Sequence, residues 1–224
     1  MKERPILFSE PMVRAILEGR KTQTRRIVQV QPPSGKYQLT TLADSTARKD
    51  KKHIGAHHWA IVKDLNIVED HGEYFRCPYG YAGDHLWVRE TWRAVERDSD
   101  LTDGILFASG GHFQPIPETQ QAAELWMEAY GNGKHGESWR PSIFMPRWAS
   151  RITLEITGVR VERLNTITIE DIIAEGLSSH LREHDACCEL KDQFAALWDS
   201  INSKRASWKS NPWVWVIEFK RLLV

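Results

Sequence analysis

The chain has 224 residues, with 30 Lys+Arg against 30 Asp+Glu and three cysteines. It carries no apolar run of about 18 residues, which excludes a helical membrane span. Balanced charge gives no bulk attraction to nucleic acid, so any electrostatic case rests on local clusters. Cys77, Cys187 and Cys188 make no CxxC spacing, which argues against a disulfide framework and fits a reducing, cytoplasmic setting. With His184 they match none of the usual zinc spacings, so neither a metal nor another cofactor is expected.

In chain order, Ile6-Leu7-Phe8 reads as a brief strand, too short for the core of a signal peptide. Ser9 is placed to cap a helix whose first turn holds Glu10 and Pro11 and whose apolar face is Met12, Val13, Ile16 and Leu17. Gly19 stands where that helix stops, because glycine takes φ > 0 without steric penalty. The run Glu18-Gly19-Arg20-Lys21-Thr22-Gln23-Thr24-Arg25-Arg26 then predicts a turn that presents a lysine, two hydroxyls and three arginines. A solvated basic turn has the same composition. Ile27-Val28-Gln29-Val30 reads as a second strand, broken by Pro32-Pro33-Ser34-Gly35.

Residues 31–72 read as irregular. Within them the basic run Ala47-Arg48-Lys49-Asp50-Lys51-Lys52-His53 reads as a solvated loop, and His53, His57 and His58 as histidines facing water. A turn at Tyr79-Gly80-Tyr81-Ala82-Gly83-Asp84-His85 feeds a strand, Leu86-Trp87-Val88-Arg89-Glu90-Thr91-Trp92. Glu90 shares a face with Leu86 and Val88, so a cation must pair with it, or its pKa must rise, unless it turns to solvent at the strand end. Residues 98–138 read as a second irregular insertion with one helix near 118–130.

Arg140-Pro141-Ser142-Ile143-Phe144-Met145-Pro146-Arg147-Trp148 holds two prolines and reads as an edge or a loop. Ile152, Leu154 and Ile156 alternate with polar residues, and after Gly158 the apolar set shifts by one to Val159 and Val161. Such a phase change marks a β-bulge. Thr168 and Asp171 fit a capping box, with Gly176 ending the helix. A following helix carries the stripe Leu190, Phe194, Leu197, Trp198 and Ile201. Asn211-Pro212 turns the chain into Trp213-Val214-Trp215-Val216-Ile217-Glu218-Phe219, apolar on both faces and so predicted to be a central strand. The pattern as a whole predicts an α+β fold with a small, curled, mixed sheet and three or four helices.

Gly19-x-Lys21-x-x-Thr24-x-Arg26, Gly83-Asp84 leading to Trp87-Val88-Arg89-Glu90-Thr91-Trp92, and Asn211-Pro212-Trp213-Val214-Trp215 together resemble the ASCH domain family. The likeness is greatest to the longer forms of phages and prophages. It spans both ends and the middle but not residues 31–72 and 98–138, which makes 1–224 one ASCH-like domain with two insertions. The resemblance implies a curled β-barrel related to the PUA fold, a class associated with RNA. It also implies one of three activities: an amidohydrolase removing acyl groups from N4 of cytosine nucleosides, a ribonuclease, or a non-catalytic nucleic-acid-binding module. In the amidohydrolase members a lysine and a threonine of the signature turn act with a glutamate, which maps here to Lys21, Thr24 and Glu90.

A nucleoside or single-stranded RNA is the expected partner. Arg20, Arg25, Arg26 and Arg89 are candidates to bind phosphate, and Trp92 and Trp148 to stack bases, although burial is the ordinary fate of tryptophan. Threonine needs a base to become a nucleophile, and lysine can be that base only when its pKa is depressed. A structural ion pair between Lys21 and Glu90 is the competing use of the same residues.

Overall fold

The structure, a computed structural model, describes residues 1–32, 38–41, 57–63, 66–97, 102–131, 138–178 and 183–223. Five strands form the main sheet, in the order β1 (Glu3–Leu7), β6 (His85–Arg89), β10 (Thr153–Arg163), β11 (Trp213–Leu222), β2 (Gln23–Ile27). Two three-stranded sheets accompany it: β3 (Gln38–Thr41), β4 (His57–Lys63) and β5 (Asn66–Phe75), then β7 (Trp92–Arg97), β8 (Thr102–Phe107) and β9 (Phe113–Pro115). Helices α1 (Glu10–Leu17), α2 (Gln120–Gly131), α3 (Ile169–Ala174) and α4 (Glu183–Asn202) complete a mixed α+β chain. Among the described residues no helix is long and apolar enough to cross a membrane.

β1 runs parallel to β6, whereas the other neighbours in the main sheet are antiparallel. β1 and β2 are its edges, and α1 is the connection between them. Pro11 lies in the first turn of α1, and Val13, Ala15 and Ile16 are buried. Gly19, at φ 76°, reverses the chain, and the amides of Arg20 and Lys21 both return to the Ala15 carbonyl, at 2.9 and 3.0 Å. Helix, turn and edge strand are thereby tied into one unit.

The β10–β11 ladder slips between Ile156 and Gly158, where the sequence predicts a bulge. A Cβ on Gly158 would lie 2.7 Å from Glu218 Oε2, so a larger residue there would have to push the end of that side chain aside. β11 lies between β10 and β2 and supplies both faces with core, as expected. Trp215, Ile217 and Phe219 join Phe8, Val13 and Ile16 on one side, and Val214 and Val216 join Phe194 and Trp198 of α4 on the other. α3 begins at a complete capping box of Thr168 and Asp171.

The structure corrects five expectations. The second strand spans Gln23–Ile27 rather than starting at Ile27, because pairing of Thr24 and Arg26 with Ile217 and Trp215 outweighs the polar sequence. The strand expected from Leu86 through Trp92 is two strands: β6 stops at Arg89, and Trp92 starts β7 in another sheet. The stretch 31–72 is not wholly irregular, since β3, β4 and β5 pair antiparallel within and just beyond it. The basic run and His53 lie outside the described residues, as does the side chain of His58. His57 does not simply face water, because its ring meets Trp215 edge-on at 5.1 Å. In 98–138, β8 and β9 extend from β7 in addition to the expected helix, which is α2.

Candidate functional site

Lys21 lies just before β2 and bridges to Glu175, the residue that closes α3. Its Nζ donates to the Glu175 carbonyl at 2.9 Å and to Glu175 Oε2 at 2.8 Å. The two side chains are 0% and 5% exposed. Removal from water pushes the Lys21 pKa down, while the carboxylate of Glu175 pulls the other way; burial prevails and the value falls below that of an ordinary lysine. Gly176, at φ 94°, lets this happen sterically, because a Cβ there would stand 2.9 Å from Ala15 Cβ and 3.1 Å from Lys21 Cβ.

The next residues on that strand face extend the network. Arg25 donates to Glu175 Oε1 at 3.3 Å, Asp171 Oδ2 at 2.8 Å and Glu162 Oε2 at 3.3 Å. Gln23 donates to the Asp171 carbonyl and Oδ1 at 2.9 and 3.0 Å. Burial alone would raise the Asp171 pKa, but the bond from Gln23 and the charge of Arg25 outweigh it and leave the carboxyl below its usual range.

A cleft of about 610 Å³ opens between the two edges of the main sheet and the last turns of α4. Thr24, Arg25, Arg26 and Glu175 line one side of it, Leu7 and Arg89 another, and Trp198, Ile201, Lys204 and Arg205 a third. Leu197 and Ile201, which belong to the apolar stripe predicted for α4, line this cleft, with Ile201 54% exposed. Arg26 spans the two sheet edges by donating to the Leu7 carbonyl at 2.6 Å. Thr24 is buried, and among the described residues its hydroxyl makes no hydrogen bond.

Lys21 is therefore held by Glu175 rather than by Glu90; Thr24 and Glu175 line the cleft, whereas Lys21 is fully buried and is not on its lining. Glu90 is buried behind the sheet junction. It takes a two-point bond from Arg151, at 2.9 and 3.0 Å, and a hydrogen bond from the Ser109 hydroxyl, while Arg151 also donates to Ser109 Oγ at 2.8 Å. A cation does pair with Glu90, but it is Arg151, and Glu90 does not line the cleft.

The remaining candidates divide. Arg20 is exposed and bound to the Glu18 carboxylate and the Gly176 carbonyl. Arg25 is spent on three carboxylates. Arg26 and Arg89 line the cleft. Trp92 is buried in a second core and meets Trp148 edge-on at 6.4 Å; neither lines the cleft, so neither is placed to stack a ligand there. Among the described residues no three His, Cys, Asp or Glu side chains group as metal ligands.

Comparison with known protein families, curated proteins and solved structures finds no match to this chain.

Glu175, Lys204 and Arg205 are the charged cleft residues that the sequence does not single out. Glu175 leaves one usable trace. A carboxylate at the end of a helix opposes the negative end of the helix dipole, so a residue kept there needs a cation. Chemically, the arrangement offers a lysine amine of lowered pKa, a carboxylate that orients it, and a threonine hydroxyl on the wall of a cleft in the size range of small-ligand pockets.

Proposed function

We propose that this chain is an ASCH protein of PUA-like fold that removes acyl groups from N4 of cytosine nucleosides, with Lys21, Thr24 and Glu175 as the reacting groups. One observation supports the reading: Glu175, which holds the buried Lys21 amine, lines the same cleft of about 610 Å³ as Thr24. The resemblance of the Gly19 to Arg26 signature supports the family, and Glu175 replaces Glu90 as the carboxylate.

A neutral amine has two N–H groups and one lone pair. The carbonyl and Oε2 of Glu175 accept from the two N–H groups, which leaves the lone pair to take the proton of Thr24. Thr24 Oγ1 then bonds to the acyl carbon, the C–N4 bond breaks, and the proton passes from Lys21 to the leaving amine. Water, deprotonated by the same amine, cleaves the acyl-threonine and releases a carboxylic acid. Arg26 and the wall of α4 confine the base. Glu90 holds Arg151 and the junction of two sheets, outside the chemistry.

The test is incubation with N4-acetylcytidine. Wild-type protein releases cytidine and acetate, and Thr24→Ala, Lys21→Met and Glu175→Gln each lose roughly 10²–10⁴-fold in kcat. Absence of turnover by folded wild-type protein refutes the reading, and turnover that survives Lys21→Met removes lysine from its role.

A further inference from the structure

The cleft holds more positive charge than a free nucleoside could use. Arg26, Arg89, Lys204 and Arg205 all line it, and among the described residues none of the four makes an ion pair. Glu175 is the only carboxylate on the lining among the described residues, and it is committed to Lys21 and Arg25. Arg26 and Arg89 each give a single bond to a backbone carbonyl, at 2.6 and 3.2 Å, and the Nε of each is buried with no acceptor. Lys204 and Arg205 stand exposed on the turn after α4. Four cations converging on one concavity repel one another unless an anion joins them, and guanidinium groups with free donors suit phosphate oxygens.

From this we infer that the site takes a phosphorylated nucleoside, with the phosphate held among Lys204, Arg205, Arg26 and Arg89 while the base reaches toward Thr24. This rests on the nucleoside reading above and narrows its substrate class to a mononucleotide. A polymer is disfavoured because the chain as a whole balances 30 cationic against 30 acidic residues, and the cleft is closed on one side by α4.

Calorimetric titration of the full chain with cytidine, cytidine 5′-monophosphate, inorganic phosphate and a short cytidine-containing oligoribonucleotide tests it, on wild type and on Lys204→Ala/Arg205→Ala. Both substituted residues are exposed, and an unchanged thermal midpoint verifies the fold of the variant. The nucleotide is expected to bind about tenfold more tightly than cytidine, since one charge-assisted bond is worth at least that. The ratio should shrink to about twofold in the double variant and fall with added salt. Equal affinity for cytidine and its monophosphate overturns the phosphate site and leaves the nucleoside reading standing. A ratio that ignores the two substitutions overturns it as well. Equal binding of nucleotide and inorganic phosphate, with none of cytidine, refutes the nucleoside reading and the mononucleotide with it. An oligoribonucleotide binding more than about tenfold tighter than the monophosphate reassigns the cations to RNA and overturns the proposal.

Discussion

Replacing Glu175 by glutamine tests the centre of the structure. The substitution keeps the shape of the side chain and removes the charge that faces Lys21 at 2.8 Å and Arg25 at 3.3 Å. Arg25 retains Asp171 and Glu162, so the loss falls mainly on Lys21, whose side chain is 0% exposed. Breaking one partner out of a buried pair costs roughly 3–5 kcal/mol. Lysine can escape by shedding its proton, which caps the cost at pH 7 near (10.4 − 7) × 1.36, or about 4.6 kcal/mol. For a chain of this size that is a fall in Tm of about 6–18 °C.

Lys21→Met should behave differently. It removes the buried amine and leaves Glu175 on Arg25, at a cost below about 2 kcal/mol, and in the double variant it should recover most of what Glu175→Gln loses. Urea unfolding followed by tryptophan fluorescence measures all three. The pH dependence has a fixed sign. Burial holds the folded pKa of Lys21 below its unfolded value of about 10.4, so between the two the unfolded chain binds more protons. Stability therefore rises with pH through that window, by at most about 1.36 kcal/mol per unit, and Lys21→Met flattens the rise. If Lys21→Met destabilises as much as Glu175→Gln, or the double variant is merely additive, the pairing described here is wrong.

Arg151→Met should lower stability by roughly 3–5 kcal/mol, because it strands the buried Glu90 carboxylate, yet leave kcat per folded molecule intact; a matching loss of kcat would bring Glu90 back into the chemistry. Gly176→Ala adds a left-handed backbone penalty to a 2.9 Å approach to Ala15, about 2–4 kcal/mol in all by thermal unfolding. Gly19→Ala meets open space and pays the backbone part only, about 1 kcal/mol, and equal losses at the two glycines would refute the packing of α1 against α3.

What the sequence makes visible is what neighbouring residues decide. The end of α1 at Gly19, the slip at Gly158, the Thr168–Asp171 cap and the two-faced β11 each carry a signal within a few positions, and each is found in place. Long-range pairing leaves no such mark. Lys21 meets Glu175 across 154 positions, so Glu90, with its odd place among aliphatics, draws attention away from it. That oddity is real, but its cause is Arg151, which is 61 positions further on. Asn66–Phe75 holds acidic residues, a histidine and a glycine that blur strand periodicity, and only pairing with β4 makes it a strand.

The order of pairing in the main sheet bears on how the molecule comes into being. Thr24 is held in line by Ile217 and Lys21 is capped by Glu175, so Lys21 cannot settle before residue 175 has left the ribosome, nor Thr24 before residue 217. An emerging chain carries its amine fully hydrated, with an ordinary proton affinity, for most of its synthesis. The setting of both residues is therefore completed late, when β11 slots between β10 and β2, and fragments ending short of that strand lack the neighbour that holds Thr24.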